Sequence, residues 1–172
     1  MNPALNSSDR TTWQTPPEFL ARVRKIAPIG LDPATAPDNP TGASTFFTEK
    51  ENGLALPWTL NGLVFLNPPY GRAIPTWMDK ARREAKRGAE IVALIPSRTD
   101  TRWFHDSVFW SADCVLFWKG RFRFIDADTG KPGDAAPFPS AIPYWGPRPL
   151  AFARAFEDCG KLVSLRGPLV QL

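Results

Sequence analysis

Short apolar runs of strand length recur along the first two thirds of this chain, separated by loops and amphipathic segments. They are IGLD at 29–32, GLVFL at 62–66, EIVALIP at 90–96 and CVLFW at 114–118. Continuous apolar strands that alternate with helices are typical of a parallel sheet covered on both faces. The pattern therefore predicts an α/β fold with a mostly parallel sheet, in which ligands bind at the carboxyl ends of the strands.

Two amphipathic helices are predicted between these runs. The first has Thr15 as its expected N-cap, Pro16 as its first helical residue and Glu18 as the acid of a capping box. The second ends before Gly88, which we expect to stop it. The apolar stripes comprise Phe19, Leu20, Val23 and Ile26 in the first helix, and Ile74, Trp77, Met78, Ala81 and Ala85 in the second.

The rest of the chain is expected to add a third helix and an antiparallel edge. The segment TDTRWFHDSVFW at 99–110 predicts a helix opened by Thr99 or Asp100. CVLFW and the alternating RFRFI flank Lys119-Gly120, and together they predict an antiparallel hairpin. Beyond it we expect a loop at 130–139, a strand at SAIPYW (140–145) and a helix near LAFARAFEDC (150–159).

Length and composition favour one domain. With 172 residues, 43% of them hydrophobic, the chain can bury one core, so we expect a single domain at 11–172 after a disordered tail at 1–10. No window approaches the roughly 18 apolar residues of a membrane span, and the first residues lack the blocks of a signal peptide. A cytoplasmic protein is therefore expected. Cys114, Cys159 and the single His105 do not have metal-ligand spacing, so we expect neither a metal site nor a disulfide.

Basic residues gather in two places, within a total of 21 Lys and Arg against 17 Asp and Glu. The run DKARREAKRG on the second helix is best explained as a solvated helix face. A later group is interleaved with aromatic residues, and cations mixed with rings suit the phosphates and bases of a nucleic acid. For this group, ordinary surface charge stays open as the alternative. Its members are Arg98, Arg102, Lys119, Arg121 and Arg123.

The motif Asn67-Pro68-Pro69-Tyr70 directly follows the apolar run GLVFL. It places a side-chain carbonyl, a backbone carbonyl at Pro68 and the ring of Tyr70 together. Two acceptors and a stacking ring can hold a flat group that carries an amine, with the lone pair of the nitrogen directed outward. Positioning of that kind supplies much of the rate for attack on an activated methyl group. The alternative is a rigid surface turn, because Asn-Pro often opens turns.

The same residues belong to a longer resemblance. Its motifs are WQTP at 13–16, LDPAT at 31–35, NPPYGR at 67–72, IPSRTDTRWFH at 95–105, KGRFRF at 119–124 and APFPSAI at 136–142. In this order they resemble the phage-type DNA N-6-adenine methyltransferases, a Dam-like family of S-adenosylmethionine-dependent enzymes. The resemblance runs from about Trp13 to about Trp145. It implies a Rossmann-like methyltransferase fold, S-adenosylmethionine as cofactor, and double-stranded DNA as substrate with the target adenine flipped out.

The resemblance also implies roles for individual residues. Asn67 and Pro68 would hold the target amine, Pro69 would stiffen the strand end, and Tyr70 would stack on the adenine. The residues expected around the cofactor are Trp13, Thr15, Pro16, Asp32, Glu49 and Asn67, with Glu49 as the nearest acid for the ribose. Those expected at the nucleic acid are Arg72, Arg98, Thr99, Asp100, Arg102, Arg121 and Phe122.

Three features qualify these roles. The loop LDPATAPDNP lacks the glycines of the D-x-x-x-G-x-G turn common in methyltransferases. Thr99 and Asp100 can equally cap a helix, and His105 is expected to be structural because this transfer needs no base. The tryptophans that we expect in the core are Trp58, Trp77 and Trp110.

The first hypothesis is therefore an adenine-specific DNA methyltransferase in a phage or prophage setting, acting in the cytosol of a bacterial host, where modified DNA escapes restriction. A second keeps the fold and changes the acceptor to cytosine N-4, a guanine amine in RNA or a glutamine amide in a protein. A third is a nucleic-acid-binding module without catalysis. Neither the target sequence nor the oligomeric state can be deduced from these residues, and relaxed specificity is expected.

Overall fold

A computed structural model of the chain describes residues 13–59 and 62–167, and the tail expected at 1–10 lies outside them. The strands are β1 (Trp13–Gln14), β2 (Ile29–Asp32), β3 (Thr45–Phe46), β4 (Leu63–Leu66), β5 (Ile91–Ala93), β6 (Ile95–Pro96), β7 (Cys114–Trp118), β8 (Arg123–Asp126), β9 (Pro132–Ala135), β10 (Ser140–Trp145) and β11 (Gly160–Ser164). The helices are α1 (Pro17–Arg24), α2 (Ile74–Lys86), α3 (Arg102–Phe104), which continues as a π-helical turn at His105–Phe109, and α4 (Pro149–Ala155).

The main sheet has the strand order β11-β7-β10-β5-β4-β2-β3, and β6 pairs with β10. The neighbours among β3, β2, β4 and β5 are parallel. Strand β10 is antiparallel to both β5 and β7, and β11 is antiparallel to β7. Strands β2, β3, β4, β5 and β7 therefore all point the same way, which confirms the mostly parallel sheet. Their carboxyl ends meet at one side of the sheet, which we call the carboxyl edge.

Helices cover both faces of the sheet, as predicted, because each buried strand alternates its side chains between two apolar clusters. In β4, Leu63 and Phe65 pack into a cluster with residues of α1 and α4. Val64 and Leu66 point the other way, into a cluster with residues of α2 and α3. The sheet is thus the middle layer of three.

An antiparallel hairpin is present, as predicted, but it is formed by β8 and β9 and not by β7 and β8. Strand β7 lies in the main sheet, whereas β8 pairs with β1 and β9 in a separate three-stranded sheet. The physical reason is burial: Phe122 is 2% and Phe124 8% exposed, and the Phe122 ring meets that of Phe19 edge-on at 5.3 Å. Because these rings are buried against residues such as Phe19, the RFRF segment does not pair with β7. The loop expected at 130–139 contains β9.

Three local predictions are also corrected. Helix α1 has Pro16, not Thr15, at its N-cap, and no side chain caps it, so the capping box with Glu18 is not formed. Helix α3 is preceded by Thr101 rather than by Thr99 or Asp100, and the Thr101 hydroxyl donates back to the carbonyl of Arg98. Among the tryptophans, Trp58 and Trp77 are buried as expected, whereas Trp110 is 74% exposed.

Candidate active site

The carboxyl edge brings the two polar strand ends together. Asp32 is the last residue of β2, and Asn67 directly follows the neighbouring strand β4. Thr15, just before α1, reaches the same place, because the Nδ2 of Asn67 donates a hydrogen bond to its hydroxyl oxygen over 3.2 Å. Thr15 is 7% exposed, so this contact lies inside the protein. The hydroxyl expected to cap α1 therefore serves Asn67 instead.

This contact decides which way the Asn67 amide faces. Its nitrogen is directed at Thr15, and no described residue donates to its carbonyl oxygen. The next residue, Pro68, is buried, and within the described part of the chain its backbone carbonyl accepts no hydrogen bond. Pro69 is exposed. Two acceptors in successive residues are thus available to a ligand that carries an amine.

Tyr70 is held in place at both ends of its side chain. Its hydroxyl donates to the carbonyl of Leu94 over 3.3 Å, and its ring meets Phe124 and Phe138 edge-on at 5.9 Å and 5.3 Å. Burial raises the pKa of the phenol well above its ordinary value, so Tyr70 is neutral near pH 7. We call Tyr70, Phe124 and Phe138 the aromatic wall. Phe138 was not among the predicted site residues, and its only signal in the sequence was its place in APFPSAI.

Asp32 is buried, with 3% of its surface exposed. One carboxylate oxygen accepts from the backbone N–H of Ala34 at 3.1 Å, and the other accepts from the hydroxyl of Thr41 at 2.8 Å. Burial raises the pKa of this carboxyl to about 6, although the hydrogen bonds from Ala34, Thr41 and Thr35 act in the opposite direction. Such a group loses its proton more readily when a cation comes close.

A groove of about 490 Å³ lies between the loop after β2 and the turn after β3. Its lining residues are Pro37, Phe46, Phe47, Thr48, Lys50 and Glu51. The groove is joined to the end of β2 because the backbone N–H of Phe47 donates to the carbonyl of Asp32 at 2.9 Å. Glu49, the acid expected at a ribose, is exposed and does not line the groove, whereas Glu51 does. Glu51 also accepts hydrogen bonds from the backbone and hydroxyl of Thr48.

The remaining cofactor candidates flank α1. Pro16 is buried at the N-cap of α1. Because its side chain has no hydrogen-bonding group, it could contribute to a ligand site only by packing. The backbone of Trp13 pairs with Asp126 in the small sheet. Strand β1 thereby joins the Thr15 segment to β8 and the aromatic wall.

The basic residues expected at nucleic acid lie on the connections that leave the carboxyl edge. Arg72, Arg98 and Arg121 are exposed, and each follows a strand that ends there. Arg102 is exposed at the start of α3 and pairs with Asp106 at 3.3 Å. A second groove, of about 220 Å³, opens beside Arg121 and Arg123, where α1 begins. Exposed arginines therefore lie on several connections at the carboxyl edge.

Three other residues that were expected at the nucleic acid are Phe122, Thr99 and Asp100. Phe122 is 2% exposed and packs in the core, where it also lines the groove beside Arg121. Thr99 and Asp100 are exposed in the turn before α3, and the carbonyl of Thr99 is 2.9 Å from the Nε2 of His105. His105 therefore closes this turn, which agrees with the structural role expected for it.

Within residues 13–59 and 62–167, no three His, Cys, Asp or Glu side chains lie together so that they could hold a metal ion. None of the helices in these ranges is long and apolar enough to cross a membrane.

Comparison with known proteins identifies the family of the chain. Residues 3–152 match the family model described as DNA N-6-adenine-methyltransferase (Dam). A DNA N-6-adenine-methyltransferase of Escherichia phage T1 is 29% identical over 140 residues, a match that covers 73% of this chain and 58% of the phage protein. The match thus spans somewhat more than half the length of that relative. Because the family model covers most of the chain, the chain belongs to the DNA N-6-adenine-methyltransferase (Dam) family.

Proposed function

We propose that this member of the Dam family transfers a methyl group from S-adenosylmethionine to the N-6 amine of adenine in DNA. The observation that carries the proposal is the Asn67 amide, whose nitrogen is directed at Thr15 while neither its oxygen nor the carbonyl of the next residue, Pro68, accepts a hydrogen bond from the described residues. An arrangement of two acceptors after a parallel strand suits an exocyclic NH₂ group. The family match and the phage T1 relative support the same acceptor.

In this proposal Asn67 and Pro68 each accept one N–H of the target amine. The lone pair of the nitrogen then points away from both acceptors, toward the methyl donor. Positive charge develops on the nitrogen as the N–C bond forms, and both oxygen atoms stabilise that charge. The groups are already oriented before substrate binds, so little reorganisation accompanies the transfer.

The aromatic wall is the proposed receptor for the adenine ring. Inside a duplex the N-6 amine cannot reach Asn67, so the base must leave the stack. The face of Tyr70 would receive it, with the phenol fixed to Leu94 and the ring braced by Phe124 and Phe138. Stacking on a ring held in this way requires no rearrangement of the side chain.

The residues at the ends of β2 and β3 fit S-adenosylmethionine, which supplies an electrophilic methyl carbon on a sulfonium and leaves as a neutral thioether. The buried carboxyl of Asp32, at the end of the strand next to the one that Asn67 follows, would hold the cationic amino group of the methionine part, with Thr15 and Pro16 also contributing to this part of the site. The groove lined by Phe46, Phe47 and Glu51 has two rings and one carboxylate, which suit a nucleoside. We therefore assign the ribose to Glu51 in preference to Glu49.

DNA would approach the carboxyl edge, where Arg72, Arg98, Arg102 and Arg121 can contact its phosphates. The setting that we propose is the cytosol of a bacterial host, because the matched relative is a phage protein.

The test is incubation of the purified chain with labelled S-adenosylmethionine and unmethylated double-stranded DNA, followed by digestion and mass analysis of the nucleosides. We expect N-6-methyladenine from the wild-type protein and none from Asn67→Ala, with the two proteins sharing the same circular dichroism spectrum. If the label appeared instead in N-4-methylcytosine, RNA or protein glutamine, that amine would be the acceptor. If the protein bound DNA but labelled no acceptor, it would be a DNA-binding module without catalysis.

A further inference from the structure

One buried hydroxyl, at the start of β10, has no hydrogen-bond partner within residues 13–59 and 62–167. Ser140, the first residue of β10, is 1% exposed, and its hydroxyl finds no hydrogen-bond partner among the described residues. A buried hydroxyl without a partner lowers the stability of a protein. Groups of this kind are rare in folded proteins and call for an explanation such as a ligand or a bound water.

The register of β10 places Ser140 on the face of the sheet that carries the aromatic wall. Along this strand, Ala141 belongs to the apolar cluster under α2, whereas Ile142 belongs to the cluster under α1 that also holds Phe124. Side chains alternate along a strand, so Ser140 shares the side of Ile142. Phe138, two residues earlier, is packed against that same cluster.

Two contacts of Tyr70 lie near Ser140 in the chain and in the sheet. Phe138 meets the Tyr70 ring at 5.3 Å. Across the strand pair Ser140 is opposite Pro96, and the carbonyl that accepts from the Tyr70 hydroxyl belongs to Leu94, two residues before Pro96. Pro96 lies two residues, about 7 Å along the strand, beyond Leu94, so Ser140 is displaced from this hydrogen bond toward the carboxyl edge.

We propose that the Ser140 hydroxyl binds the target base, donating a hydrogen bond to the ring nitrogen next to the amine that Asn67 and Pro68 hold. This inference rests on the proposed function. In adenine the C6 amine is flanked by N1 and, across the ring junction, by N7, and both are acceptors. The Tyr70 hydroxyl cannot supply the donor because it is committed to Leu94, and the other side chains of the aromatic wall have no donor. A serine hydroxyl can rotate to meet either nitrogen.

The proposal predicts opposite effects on stability and activity for Ser140→Ala. The free protein should become more stable, with a Tm about 2–4 °C higher, because the variant removes a buried hydroxyl that has no partner. Methyl transfer to adenine should fall about tenfold or more in kcat/KM, because a ring nitrogen of the bound base loses its donor. The matched control is Ser111→Ala: Ser111 donates to the Ser107 carbonyl and accepts from Trp145, so its loss should lower the Tm and leave methylation unchanged.

Substrate analogues give the decisive comparison. DNA duplexes would carry 1-deazaadenine or 7-deazaadenine at an adenine that the wild-type protein methylates. The wild type should lose activity on one of these, and Ser140→Ala should show no further loss on that analogue. Equal activity of Ser140→Ala and wild type on adenine would overturn the inference. So would a loss that is the same on adenine and on both analogues, or a fall in Tm. Absence of N-6-methyladenine with the wild type would instead overturn the proposed function, and this inference with it.

Discussion

Asn67 donates from its Nδ2 to the hydroxyl oxygen of Thr15 over 3.2 Å, across 52 residues of sequence. An amide has an oxygen and a nitrogen of similar size, and only the oxygen can accept an N–H. In this contact the Asn67 amide keeps its oxygen for a ligand, which is the orientation that can hold an amine. We predict that Thr15 selects this orientation, as a positioning residue that acts through Asn67.

Replacing Thr15 by valine tests this selection. Thr15→Val keeps the shape of the side chain and removes the acceptor, so the Asn67 amide can turn its nitrogen toward the substrate. We expect kcat to fall about tenfold or more, while the Tm changes little. Thr15→Ser keeps the hydroxyl and should restore most of the rate. An unaltered kcat in Thr15→Val, measured in single-turnover methylation, would rule out the positioning role.

Tyr70 provides a second test, because its ring and its hydroxyl have separable roles. Tyr70→Phe removes the hydrogen bond to Leu94 and keeps the ring, so it should cost about 1 kcal/mol of stability and only a few-fold in activity. Tyr70→Ala removes the stacking surface, and kcat/KM for DNA should fall roughly 5- to 150-fold. Thermal unfolding and methylation assays on both variants would distinguish these effects. Similar activities for the two variants would mean that the base does not stack on this ring.

The elements of the fold that could be predicted are those in which the spacing of apolar residues alone determines the secondary structure. Strand β4 is a continuous apolar run because both of its faces are buried, and α2 shows its stripe because one face packs on the sheet. For the same reason the sequence could place Asp32 and Asn67 at strand ends. These elements depend on local pattern alone.

The errors arise where a distant contact overrides the local signal. RFRF alternates as a hairpin strand would, but its hairpin partner is β9 and not β7, because Phe122 packs against Phe19, about a hundred residues earlier, and β8 also pairs with β1. Thr15 has the pattern of an N-cap, but Asn67 takes its hydroxyl. The role proposed for Ser140 depends on a cross-strand register that no local pattern encodes. Glu51 rather than Glu49 lines the groove because the turn after β3 directs the two acids differently.

The pKa of Asp32 predicts how cofactor affinity depends on pH. In the free protein this pKa is raised to about 6 by burial. The cationic amino group of S-adenosylmethionine would favour the ionised carboxylate, so binding releases a proton below pH 6 and weakens there. The Kd should be constant above about pH 7 and rise up to tenfold per pH unit below 6. Titration calorimetry with S-adenosylhomocysteine, which has the same amino group, would measure this. A Kd that does not change between pH 5 and 7.5 would remove Asp32 from the site, and Asp32→Asn should lose the pH dependence.

The same group affects stability with a definite sign. Its pKa in the folded protein lies above the ordinary value of 3.8, so folding favours the protonated form. The stabilisation is complete below pH 3.8 and is lost as the pH rises through about 6. A difference of about two pKa units corresponds to on the order of 3 kcal/mol at pH 7. Asp32→Asn should therefore unfold at a higher urea concentration than the wild type at pH 7.5, and this difference should shrink at pH 5.

Glu84 is expected to matter for stability rather than for chemistry. It is fully buried on α2, where it accepts from Lys80 at 2.9 Å and from the backbone N–H of Trp58 at 3.0 Å. Burial acts to raise its pKa, but these hydrogen bonds prevail and hold the pKa below its ordinary value, so its stabilisation is present at neutral pH and lost on acidification. Glu84→Gln leaves the Lys80 ammonium buried without its counter-charge, at a cost of about 3–5 kcal/mol. Asp79→Asn, which removes more exposed pairs with Arg82 and Arg83, should cost under about 1 kcal/mol in urea unfolding. Equal losses of unfolding free energy in Glu84→Gln and Asp79→Asn would mean that burial of Glu84 does not add to its contribution.

The direction of the strands predicts which cations contact DNA. Arg121 follows β7 at the carboxyl edge, whereas Lys86 ends α2, which runs back from that edge to the start of β5. Both side chains are exposed, so either can lose its charge with little effect on folding.

Arg121→Gln should weaken binding to duplex DNA and reduce the slope of log K against log salt concentration by about 1, because one phosphate contact is lost. Lys86→Gln should leave that slope unchanged. Fluorescence anisotropy between about 50 and 200 mM salt would measure both slopes. A reduced slope for Lys86→Gln with a normal slope for Arg121→Gln would place DNA at the opposite edge, away from Asn67, and so would contradict the proposed docking.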